Sequence, residues 1–147
     1  MRTIAIAAGL AAGCALHLFA LRRRYTVITV TGSSMSPTFA DGDRLLVRRV
    51  RRVRRARRVA REEVVVFRMP PQHREEGLSW LVKRAAAIPG DRVPADMRAV
   101  AGPDPTVPAG RLLVRGDNPR SLDSRHFGYV PAADVLGVAV RPLVRAL

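Results

Sequence analysis

Residues 4–21 (IAIAAGLAAGCALHLFAL) hold His17 as their one strongly polar side chain, and Arg22, Arg23 and Arg24 come immediately after. As a helix rising about 1.5 Å per residue, this run spans roughly 27 Å, just enough for a bilayer core. The chain therefore reads as a membrane anchor over residues 1–24 and a domain over residues 25–147. Two rival readings are a signal peptide cut near Ala12 or Ala20, and a lipid attached at Cys14 in the partial lipobox Ala11-Ala12-Gly13-Cys14. The span length favours a retained anchor. The arginines that close the run favour a cytoplasmic location for the domain.

After the anchor the pattern changes from continuous to short. Residues 25–31 (YTVITVT) are β-branched and aromatic, the signature of a strand, and Gly32 opens a loop through Thr38. Further apolar runs at 44–47, 64–67, 80–85, 112–114 and 135–140 are bounded by Gly, Pro or Asp. None keeps a helical period for three turns, so the expected fold is all-β: a compact sheet or barrel preceded by one transmembrane helix. Residues 93–110, rich in Pro, Ala and Gly, read as a surface loop or short insertion.

Charge narrows the partners. The 147 residues carry 26 Lys and Arg against 12 Asp and Glu, a net +14, and Lys83 is the single lysine. Such a balance points to nucleic acid, an anionic membrane or an acidic partner. Residues 48–61 (RRVRRVRRARRVAR) concentrate it: nine of fourteen are arginine, with Val50, Val53, Ala56 and Val59 at every third position. The run reads as a solvated hairpin extension, with contact to anionic lipid headgroups as the second reading. It has no aromatic residue for stacking bases, so no nucleic-acid partner is expected. One cysteine excludes an internal disulfide, and three scattered histidines exclude a zinc cluster; no cofactor is expected.

Ser34 stands where a strand gives way to a loop, and a serine hydroxyl needs a base to become a nucleophile. The histidines offer little: His17 lies in the anchor, His73 in a polar loop, and His126 beside Arg125 without an acidic orienter at a recognisable spacing. Lys83 is the alternative, in the apolar run Trp80-Leu81-Val82-Lys83. An arginine cannot lose its proton in a protein, whereas a desolvated lysine can. A neutral amine there would serve as general base in a Ser-Lys dyad. Chance survival of one lysine in an arginine-rich chain is the plain alternative.

Three ordered boxes add a resemblance. Gly32-Ser33-Ser34-Met35-Ser36-Pro37-Thr38 with Gly42-Asp43 resembles the Ser-Met-x-Pro-Thr box of type I signal peptidases. Lys83-Arg84 with Ile88-Pro89-Gly90-Asp91 is similar to that family's lysine box. Gly116-Asp117-Asn118 with Ser121-Leu122-Asp123-Ser124-Arg125 and Gly128 is similar to its C-terminal box. Residues 61–67 match more loosely the strand between the first two.

The resemblance implies a membrane-anchored serine endopeptidase that removes signal sequences from exported proteins after small residues, with its catalytic domain outside the cytoplasm. It implies Ser34 as nucleophile, flanked by Gly32, Ser33 and Met35, with Lys83 as general base. Ser121 would hold the lysine amine, Asp123 and Arg125 would form an ion pair behind the site, and Asp117 and Asn118 would shape the adjoining turn. Two departures stand out. Gly32 occupies the position where some members carry an oxyanion-donating serine, and the turn before Ser121 is one residue shorter than in some members. A dedicated maturation protease for one partner is the alternative within this chemistry; a basic nucleic-acid or lipid-binding protein is the alternative outside it.

Overall fold

The computed structural model describes residues 2–50, 59–70 and 80–144. Helix α1 (Arg2–Arg24) leads directly into seven strands: β1 (Tyr25–Thr29), β2 (Arg44–Arg49), β3 (Val64–Arg68), β4 (Trp80–Ala87), β5 (Arg111–Arg115), β6 (Val130–Pro131) and β7 (Val135–Val144). All neighbours are antiparallel, in the order β1-β2-β7-β3-β4-β5-β6, and the sheet curls into a half-barrel. The all-β expectation holds for the domain. Although α1 has 23 residues, no helix among the described residues is long and apolar enough to cross a membrane.

Strand β3 explains the layering. Its run Val64–Phe67 is buried throughout because both faces of the sheet are covered. Val66 packs with Val30, Leu45 and Val47 on one face, while Val65 and Phe67 pack with Ala85, Leu112, Val114 and Val138 on the other. Among the described residues strand β7 pairs with β3 only over Val135 to Val138, while its later residues stay paired with β2; their other side is open, where Pro142 can lack an N–H.

Three expectations meet the structure differently. Strand β1 stops at Thr29, because Val30 instead closes the adjoining loop: its N–H donates to Asp43 O (2.8 Å) and its carbonyl accepts from Gly42 (2.9 Å). The insertion over 93–110 is not simply surface. Val93, Met97, Ala101 and Val107 are buried with Ala87 and Leu113 in a core of their own, around a 3-10 turn (Ala95–Met97) and α2 (Arg98–Ala101). Of the arginine-rich run, residues 51–58 lie outside the described residues, as does His73. Its ends are described: Val50 and Val59 are both buried in the core that contains Phe67.

Candidate active site

Ser34 sits in the loop between β1 and β2. Met35, fully buried, pins that loop to the interior, and Phe39 N–H donates to Met35 O (2.9 Å). At the loop's start Gly32 adopts φ +82°, a left-handed conformation that glycine takes without strain. Its N–H donates to Asp41 Oδ1 (2.7 Å), so this donor is already engaged. Ser33 is exposed, and its carbonyl accepts from Asn118 Nδ2 (3.0 Å).

Lys83 lies on β4 opposite Val65 and is only 1% exposed. Taking an ammonium out of water is costly, so the neutral amine gains. Burial draws the Lys83 pKa down from 10.5 to about 8, while the negative charge of Asp123 pulls it upward.

The third segment joins the other two. Asn118 N–H donates to Ser34 O (3.1 Å), and Gly116 is wedged between Ser34 and Ser121. A methyl group at position 116 would lie 2.6 Å from Ser34 O and collide with the Ser121 side chain, so only glycine allows this approach. Ser121 is buried, its hydroxyl donating a long 3.4 Å bond to Leu122 O.

Behind this contact Asp123 is buried completely and Arg125 grips it with two bonds, Nη2 to Oδ2 (2.7 Å) and Nε to Oδ1 (2.9 Å). Burial pushes the Asp123 carboxyl up, but hydrogen bonds from the Arg125 side chain and the Gly116 and Arg125 backbones outweigh it and hold the carboxyl below its usual range. The same residue caps α3 (Ser124–Phe127) in a capping box with His126, which explains that histidine without catalysis.

Sequence reasoning missed the partner of Asp117. Arg84, next to Lys83 on β4, donates to it through Nε (2.9 Å) and Nη2 (2.6 Å). These bonds and one with the Thr38 side chain lower the Asp117 carboxyl below its usual range. Asp117 thus ties the strand of Lys83 to the loop of Ser34. The adjacent Lys-Arg and Gly-Asp pairs were visible, but no spacing connects residues 33 apart.

An open cleft of about 550 Å³ ends at Ser34. Its walls include Thr26 and residues 28–31, and Trp80, Leu81 and Val82 on β4. Among the described residues both strands offer unpaired edges there: β1 pairs only with β2, and β4 meets β5 only from Arg84 onward. An extended peptide could therefore add to the sheet with a backbone carbonyl beside Ser34.

The sequence profile described as signal peptidase, peptidase S26, matches residues 1–102 and 95–144. The chain belongs to this family. Among its relatives, signal peptidase I of Leptolyngbya laminosa is 28% identical, with 95% of this chain and 76% of the relative aligned. Signal peptidase I V of Bacillus subtilis is 31% identical over 74% of this chain and 80% of the relative. The mitochondrial ATP-independent inner membrane protease subunit 1a of Arabidopsis thaliana is 32% identical over 86% of this chain and 74% of the relative. The site thus belongs to a peptidase of the signal peptidase family, and all three boxes fall within the matched residues.

Proposed function

We propose that this peptidase removes signal sequences from exported proteins through a Ser34–Lys83 dyad. The observation that carries the reading is the buried Lys83, the chain's only lysine, whose ammonium is drawn down to about 8. At neutral pH a fraction of the amine is free to accept a proton. Lys83 Nζ takes the proton of Ser34 Oγ as the oxygen attacks the scissile carbonyl. The tetrahedral intermediate collapses, the C–N bond breaks, and the leaving amine takes the proton back from Lys83. A water molecule, deprotonated by Lys83, then attacks the acyl-enzyme carbonyl and releases the leader with Ser34 restored.

Gly32 has no side-chain hydroxyl and its N–H is bound to Asp41, so the oxyanion relies on the Ser34 N–H and donors beside it. In this reading Ser121 holds the amine of Lys83. Asp123 and Arg125 fix the Gly116 turn, and Met35 fixes the nucleophile's loop.

Helix α1 anchors the protein in the membrane, with the catalytic domain outside the cytoplasm. The apolar run at residues 4–21 and the exposure of Leu16, Leu18 and Phe19 on α1 support this placement. Long domains translocate largely regardless of flanking charge, which answers the contrary arginines at 22–24. The arginine-rich run at residues 48–61, apart from Arg49 in the cleft wall, is assigned to anionic headgroups.

The test is purified full chain in detergent with a preprotein carrying an Ala-x-Ala site. One cut after the second alanine, identified by mass spectrometry and absent in Ser34→Ala, is expected. No cut, or equal cutting by Ser34→Ala, contradicts the proposal.

A further inference from the structure

The cleft that ends at Ser34 has one charged side chain among its described lining residues, Arg49. The strand register places it. Tyr25 pairs with Arg48, so Arg49 lies one position beyond the start of β1, at the opposite end from Ser34. Arg49 shares the parity of Leu45 and Val47 on β2, both packed on the same face as Val66 and Val82. It thus faces the concave side that forms the cleft. Among the described residues the ion pairs involve Arg61, Arg84, Arg115, Arg125 and His126; Arg49 enters none.

Among the described residues this is an unmatched cation, at the end of a groove whose other walls are hydroxyls, Trp80 and apolar side chains such as Ile28, Val82 and Leu136. The described lining includes no carboxylate. A substrate side chain of negative charge would complete it. The cleft wall from Thr31 back to Thr26 spans roughly 17 Å at about 3.4 Å per residue, so an extended peptide reaches Arg49 about five or six residues from Ser34. The protein beyond the cut bond is bulky, so the leader before the bond occupies the cleft.

We propose that Arg49 makes this peptidase selective for leaders with an acidic side chain about five or six residues before the cut, at one rise of about 3.4 Å each. The inference rests on the peptidase reading for the direction of the peptide; the match of charge rests on the cleft alone. An exposed ion pair contributes modestly, which sets the expected preference at roughly threefold to fivefold.

The test uses the full chain in detergent and peptides with an Ala-x-Ala site carrying Asp, Asn or Lys five or six residues before the bond. The quantity read is the Asp-to-Lys ratio of kcat/KM. Wild type should favour Asp, Arg49→Gln should bring the ratio to about one, and Arg49→Glu should invert it; raising salt should shrink it. A ratio of one in wild type, or a ratio untouched by Arg49→Glu, overturns the proposal. So does an Arg49→Gln variant that keeps the ratio but loses binding to anionic vesicles, because Arg49 would then serve the membrane.

Binding separates this from the peptidase reading. Trp80, the only tryptophan, lines the cleft and reports occupancy by fluorescence in Ser34→Ala. Tighter binding of the Asp peptide without cleavage by wild type would sustain the acidic preference and sink the peptidase. Cleavage without any charge preference would do the reverse.

Discussion

At the scale of single residues, Lys83 has opposite effects on stability and on reactivity. Its folded pKa, about 8, lies below the unfolded value near 10.5. Between these values the unfolded chain holds the extra proton, so this group's contribution makes stability rise with pH across that window. Below pH 8 the buried ammonium costs about 3 kcal/mol. Lys83→Met should therefore stabilise the protein at pH 7 by an amount of that order, with the advantage vanishing above pH 10.5, as denaturant unfolding at several pH values would measure. The catalytic counterpart is that kcat/KM should rise with pH and level off above about 8. A flat profile from about pH 6 to about pH 9 would remove Lys83 as the base. Ser121→Ala should lower turnover by about a hundredfold while leaving thermal unfolding nearly unchanged, if the hydroxyl places the amine.

At the scale of elements, two ion pairs brace the site from different directions. Arg125 holds Asp123, whose carboxylate receives the Gly116 N–H at 3.0 Å. Asp123→Asn should cost about 3 kcal/mol, because it leaves a guanidinium beside a buried neutral amide. The folded carboxyl pKa is depressed at both Asp123 and Asp117, so their stabilising share is present above the ordinary carboxylate range and lost as pH falls through the folded values. Arg84 and Asp117 join β4 to the turn at Gly116. Asp117→Asn should reduce kcat by about tenfold or more with an unchanged apparent pKa, since it loosens position without touching the base. The strands around these pairs were legible because β-branched runs bounded by Gly, Pro and Asp have one physical solution. Strand β6 was not, being two residues long and containing Pro131. The core of the insertion left a faint trace. Val93, Met97 and Ala101 fall at helical spacing, but Pro94 and the surrounding Gly and Pro disguised it. Ser34 and Lys83 could be singled out as candidates by chemistry, a serine at a strand end and one lysine in an apolar run. Arg84 with Asp117 could not, because the pairing of distant strands and turns creates it.

For the whole molecule, the curled sheet brings three distant segments around Gly116 and leaves a cleft with open strand edges leading to Ser34. Helix α1, with Leu16, Leu18 and Leu21 exposed, enters β1 directly, and β1 in turn walls the cleft. The chain should resist alkaline carbonate extraction from membranes, and a reporter fused after Leu147 should be active outside the cytoplasm. Activity confined to the cytoplasm would overturn the role in export. The proposed dyad requires that Ser34 be activated by a lysine able to lose its proton. Lys83→Arg keeps the positive charge and approximate length, yet its guanidinium stays protonated throughout the accessible pH range. The decisive measurement is cleavage of the Ala-x-Ala preprotein by Lys83→Arg, with circular dichroism showing that the variant is folded. No cleavage is expected, as in Ser34→Ala; appreciable cleavage by folded Lys83→Arg would show that Ser34 does not depend on Lys83 as its base.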